Sequence, residues 1–265
     1  MTQAELEPQT TPPPYKTAQL VELWCAEPVF FASRELSDTY YTEGTIGNYA
    51  LAYALGWVRS PYRLLGEATG RPSYLEDLTP LAGQRYVLPA WPVESSASFR
   101  FERFNALSDS CWYAMVRNRV VTDRETLPLA RELKKKQKIP NNYRASNFPQ
   151  VGRLRVIERG NRFHTLVFGS DELPEYIRVG KFMSKVRVEI VKTVSVTALP
   201  PGEYDCYAYL NSADLPSGLG LLSFDLISIP PASLLKNLRF SGAAWQAGDY
   251  ILPANLEFCG GRNHG

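Results

Sequence analysis

The spacing of apolar positions changes several times along the chain, and each change marks an element. Tyr15 to Cys25 (YKTAQLVELWC) is apolar on both faces toward its end, which predicts a central strand. Glu27-Pro28 bends it, with Val29 to Phe31 as a candidate continuation. Ile46, Tyr49, Ala50, Tyr53, Ala54 and Trp57 then fall on one face of a helix that Thr45 can cap and Gly56 can end. That aromatic stripe is read as core packing. Arg34, Tyr40 and Tyr41 fall in the loop before it, where exposed polar and aromatic groups more often have a task.

From Ser60 to Trp91, prolines 61, 72, 80 and 89 punctuate a loop-rich stretch, with at most short helical turns at Tyr62 to Leu65 and Tyr74 to Leu78. Phe99 to Phe104 and Cys111 to Val121 are predicted as strands joined near Ser108-Asp109-Ser110. Arg153 to Glu158 alternates charged and apolar residues like a ribbon strand, and Phe163 to Phe168 returns to the core sheet. Leu173 to Phe182 reads as a short helix or an ordered loop. Lys185 to Ile190 alternates strictly, so it is a half-buried strand. Tyr204 to Leu210, Leu221 to Ile229 and Tyr250 to Phe258 add three more strands, with Leu234 to Phe240 as a possible short helix. The expected organisation is a tail over residues 1–14, one domain over 15–258 and a frayed end over 259–265. Strand, helix, strands, a basic excursion and further strands describe an α+β fold. The order resembles a ferredoxin-like (RRM-like) antiparallel sheet with an arm inserted at about 122–161.

Composition narrows the class. A hydrophobic fraction of 45% against 21% charged residues describes a folded chain, not a disordered one. The four cysteines, at 25, 111, 206 and 259, show neither zinc spacing nor a disulfide framework, so a reducing cytoplasm is expected. No apolar run is long enough to span a membrane, and MTQAELEPQTTPPPY is no signal peptide.

Charge is where the picture sharpens. Between Arg131 and Arg162 stand ten basic residues and two acids, +8 inside a chain whose net charge is only +2. A polyanion partner met by one local feature is the reading this asymmetry supports. Asn141, Asn142, Tyr143 and Phe148 are interleaved with the cations. Lysine and arginine neutralise phosphates, while aromatic faces and amides stack on or hydrogen-bond unpaired bases. The RNA-binding candidates are Arg34, Tyr40, Tyr41, Lys134, Lys135, Lys136, Lys138, Asn141, Asn142, Tyr143, Arg144, Arg153, Arg155, Lys181 and Lys185.

Four segments in order, FFASRELSDTYYTEGTIGNYALAYALGW (30–57), SPYRLL (60–65), LPEYIRVGKFMSKVRVEI (173–190) and ADLPSGLGLLSFDLISIPPASLL (213–235), resemble one family. It is the handle-capping subunit of type I-D CRISPR effector (Cascade) complexes, the Csc-one or Cas-five subunit. The resemblance implies a RAMP fold, a ferredoxin-like domain carrying a thumb-like β-hairpin. It implies a grip on the 5′ handle of the guide RNA, contacts with the first backbone subunit and the large subunit, and a place near entering target DNA. It also implies that this subunit does not cut the guide precursor. Sequence would then be read by guide–target pairing, and the protein would read shape and backbone.

Catalytic chemistry has little foothold. Gly218-Leu219-Gly220 lacks the third glycine and following helix of a dinucleotide site, so no cofactor is expected. No metal-nuclease cluster is present. His164, Tyr143 and Lys138 can be assembled on paper into a metal-independent endoribonuclease, but a strand histidine that packs or snorkels between Phe163 and Thr165 is the preferred reading of His164. A general protein-interaction module, its arm binding an acidic protein, is the remaining alternative.

Overall fold

The computed structural model describes residues 12–36, 39–58, 73–105, 112–114, 119–121, 151–170 and 172–261. Strand β1 (Thr17–Cys25) lies at the middle, as its two-sided apolar pattern requires, hydrogen-bonded antiparallel to β10 (Arg162–Phe168) and β12 (Ser184–Cys206). Ala18, Leu20, Val21, Leu23 and Cys25 are all buried.

A ten-stranded sheet grows from this centre. Beyond β10 come β4 (Tyr86–Val87) and β5 (Trp91–Pro92); β11 (Tyr176–Val179) lies on β12. Strand β12 pairs with β1 through Ser195, then passes to β15 (Leu234–Ala247) from Val196 onward. The irregularity between Leu199 and Gly202 spans Pro200-Pro201, as expected where residues that cannot donate to a ladder are placed at a bulge. On β15 lie β13 (Leu210–Asn211), β14 (Gly220–Ile227) and β16 (Tyr250–Pro253).

A second sheet has the order β2 (Arg34–Leu36), β3 (Thr39–Tyr41), β9 (Val151–Ile157) and β6 (Phe99–Asn105), antiparallel except that β3 and β9 are parallel. It is anchored by a Val29–Ile157 bridge and by the turn that carries β9 into β10. Asn161 holds that turn: its amide oxygen accepts from Ser98 N (2.8 Å) and its amide nitrogen donates to Glu158 O (2.7 Å). A third ladder pairs β7 (Trp112–Ala114) with β8 (Arg119–Val121).

The fold is thus α+β and dominated by antiparallel sheet, with α1 (Asn48–Ala54) and α2 (Tyr74–Leu78) the α-helices among the described residues. Several expectations need correction. Leu173–Phe182 holds β11, because Ile177 and Val179 are buried while Tyr176 and Arg178 are exposed, a period of two. Leu234–Phe240 is likewise strand, with Leu238 and Phe240 buried and Asn237 and Arg239 exposed. Cys111–Val121 is not one strand joined to Phe99–Phe104: β7 and β8 pair with each other, and β6 pairs with β9. Val29 to Phe31 contribute one bridge, not a strand. Thr45 does not cap α1; Gly47 occupies the cap position and the Thr45 hydroxyl donates to Ala90 O (2.7 Å). The Tyr62–Leu65 turn lies outside the described residues.

The C-terminal segment is also not frayed through Gly261. Asp214, fully buried, accepts from Asn48 Nδ2 (2.6 Å) and Tyr86 Oη (3.0 Å) at Oδ2, and from Tyr49 Oη (2.8 Å) and Cys259 N (2.8 Å) at Oδ1. One carboxylate therefore ties α1, β4 and the chain end together. Burial pushes its pKa from 3.8 up to about 6, the four donors offsetting only part of that rise.

Asp214→Ala leaves those donors buried without their acceptor and should cost about 2–4 kcal/mol in urea unfolding. The pH dependence has a definite sign. A folded-state pKa above the unfolded one adds stability at low pH that is lost as pH rises through the folded value. Wild-type stability measured relative to Asp214→Asn should therefore fall by about 2–3 kcal/mol between pH 4 and pH 7; a flat difference would mean that the carboxyl titrates as it does in water.

Candidate nucleic-acid interface

Strand β9 places the site. Its sequence VGRLRVI alternates, so Leu154 and Val156 turn inward while Arg153 and Arg155 turn to the opposite face. Inside, Leu154 and Val156 pack with Phe30, Ala32 and Tyr40. Outside, the register sets Arg155 between Tyr41 of β3 and Phe101 of β6, and Arg153 between Thr39 and Arg103.

The outer face is cationic and aromatic. The Arg155 guanidinium lies 3.7 Å from the Phe99 ring centroid and 5.7 Å from that of Tyr41, close enough for cation–π attraction. The rings of Phe101 and Tyr41 are perpendicular, their centroids 6.3 Å apart at 89°, and Phe101 is 59% exposed. Arg103 and Arg153 are directly opposed across the ladder. Neither they nor Arg155 pairs with a carboxylate among the described residues, since Glu102 is taken by Arg100 and Glu43 by Arg34.

The candidates chosen from sequence separate accordingly. Arg34, Tyr41, Arg153 and Arg155 share this face, though Arg34 is already neutralised by Glu43. Arg34, Tyr40 and Tyr41 lie on β2 and β3, not in a loop, because β9 supplies a pairing edge. Tyr40 points inward beside Glu35, and burial raises its pKa first. Lys181 lies after β11, where its N–H donates to Phe30 O (2.8 Å) and burial lowers its pKa. Lys185, on β12, rests its ammonium 3.9 Å from the Tyr176 ring. Lys134, Lys135, Lys136, Lys138, Asn141, Asn142, Tyr143 and Arg144 lie outside the described residues. Sequence reasoning missed Phe99, Phe101 and Arg103. The alternation FRFERF carries the signal, but only the pairing of β6 with β9 brings its outward face beside the arginines.

Other sites offer less. His164 sits half-buried on β10, its Nε2 3.7 Å from Glu22 Oε2, and burial lowers its pKa. A cleft of about 240 Å³ between Phe31–Ser33, the start of α1 and Pro230-Pro231 borders Lys181, but Asn48, Tyr49 and Asn211 beside it are held in the Asp214 network. Among the described residues no cluster of three or more histidine, cysteine or acidic side chains could hold a metal ion.

Fold and face together define a sheet-dominated α+β protein whose smaller sheet presents arginine and aromatic groups to solvent. The family model for the type I-D CRISPR-associated protein Cas5/Csc1 matches residues 16–261, and the chain belongs to that family, a subunit of a type I-D CRISPR effector. No curated protein matches it. Among solved structures it is similar, at 11% identity and a TM-score of 0.39, to a chain of the type III-B Cmr-beta complex bound to cognate target RNA and AMPPnP, seen by cryo-electron microscopy. That likeness covers 88% of this chain and 86% of the other, and at this distance it carries no functional argument.

Directly opposed like charges disfavour strand pairing. With no anion bound, Arg103→Gln should be neutral or stabilising by about 0.5 kcal/mol in urea unfolding at low salt, with the difference shrinking as salt screens the pair. A clear destabilisation would mean that Arg103 has a partner on the protein.

Proposed function

We propose that this subunit caps the 5′ handle of the guide RNA without cutting it and helps to position target DNA near the large subunit. The observation that carries the reading is topological. Asn105 at the end of β6 pairs with Val151 at the start of β9, so the two ends that residues 106–150 connect are adjacent. That segment holds most of the cations between Arg131 and Arg162, and its return strand is the one that presents Arg153 and Arg155. This supports an arm inserted in a ferredoxin-like, RAMP-type domain, with the arm as thumb and the arginine face at its base. Lys134 to Lys138 would neutralise handle phosphates and Asn141 to Arg144 would form the tip.

Leu221, Leu222, Phe224 and Leu226 of β14 are all exposed, and β14 pairs with a strand on one side only among the described residues. Such a strand suits burial against a neighbouring backbone or large subunit, as expected of a complex member.

The test is affinity for a short guide RNA carrying the handle, titrated over salt, for wild type and a Lys134, Lys135, Lys136 and Lys138→Ala variant. The variant should bind more weakly, its salt slope shrinking by about 0.7 per lost phosphate contact. An unchanged slope would move the grip to another surface. Cleavage of repeat RNA in chelator, abolished by His164→Ala, would instead establish the endoribonuclease reading.

A further inference from the structure

A cationic and aromatic cluster lies on the four-stranded sheet, on β6 and β9 themselves. Arg103 and Arg153 face each other across β6 and β9, both exposed, with Arg155 two residues along on the same face. Side chains at such a position are neighbours, so two guanidinium groups are held together with no carboxylate of the described residues paired to either. The arrangement weakens the free protein and gains a purpose when an anion bridges the two. Arginine suits a phosphate especially, because its planar fork donates two parallel hydrogen bonds.

The aromatic groups decide what kind of phosphate compound is meant. Phe101 is more than half exposed and its ring is perpendicular to that of Tyr41, so a large part of an aromatic ring is left open to solvent beside the arginines. Arg155, braced over Phe99, adds a second flat surface whose position is set before any ligand arrives. An exposed aromatic ring next to a phosphate seat fits a nucleotide whose base is free to stack. Bases in a duplex are stacked on each other and are not free to do so.

We propose that this sheet face binds an unpaired polynucleotide strand, with a backbone phosphate between Arg103 and Arg153 and a base stacked on Phe101. The inference rests on the nucleic-acid reading above, but on neither the handle sequence nor the lysine-rich segment. Guide RNA and an unpaired DNA strand share the chemistry required.

The test uses the full chain with three labelled probes: a uridine homopolymer, a thymidine homopolymer of equal length and a blunt RNA duplex. Phe101→Leu should weaken single-strand binding about 10-fold while leaving the salt slope unchanged, and Phe101→Tyr should restore it. Arg103→Gln and Arg153→Gln should each lower the slope by about 0.7. Arg100→Gln, on the opposite sheet face and in an ion pair with Glu102, should change neither quantity. The stronger of the two homopolymers identifies the strand that the face takes, and either preference supports the site. Wild-type behaviour of the Phe101 and arginine variants on both homopolymers overturns it, and so does equal sensitivity of duplex binding to Phe101→Leu. Homopolymers lack a handle, so loss of binding here without change in the lysine variant leaves this site standing and the handle reading fallen. The reverse pattern does the opposite.

Discussion

Everything at the interface depends on the two-residue period of β9. Leu154 and Val156 have to be covered, and Phe30, Ala32 and Tyr40 cover them. Once they are, Arg153 and Arg155 can lie only on the other face, since successive side chains alternate. A one-residue slip would bury two guanidinium groups and expose two apolar side chains, each change unfavourable by itself. The strand then turns through Glu158–Asn161 into β10, beside the central β1, so the arginine face is tied to the rigid middle of the main sheet. Its position is inherited from the core.

The alternating and doubly apolar strands were readable from sequence because their burial is written in their own residues. Tyr15–Cys25 predicted a central strand, and β1 is flanked on both sides. Arg153–Glu158 and Phe163–Phe168 were readable for the same reason. Where reading failed, partners held the information. Leu234–Phe240 admits a helical reading until β12, β13 and β14 are seen competing for its backbone. Thr45 is a plausible cap until Ala90 O takes its hydroxyl. The candidate site follows the same division: four of its residues were chosen from charge and aromatic content, whereas Phe99, Phe101 and Arg103 depended on knowing which strand lies beside β9.

The Asp214 network shows a different solution to burial. Its four donors come from α1, β4 and the segment near the C-terminus, so a single carboxylate replaces an apolar contact that would have to meet all three. Both tyrosines are held protonated by burial, which keeps them donors. The cost is a carboxylate that burial drives toward its neutral form, and the four donors offset part of it.

A net charge of +2 with +8 concentrated between Arg131 and Arg162 means that the rest of the chain is acidic. A uniformly basic protein would slide along any polyanion. With the proposed polyanion partner, an off-register strand would meet repulsion beyond the basic region, so attraction and orientation would come from the same asymmetry. The Arg103–Arg153 opposition applies that logic at the scale of two side chains. Attraction alone would be served by one arginine paired with a neutral partner. Two opposed arginines make the unliganded face less favourable as well, which sharpens the difference between empty and occupied states. The long-range field of the basic region and the short-range repulsion between β6 and β9 meet at Arg153, which belongs to both.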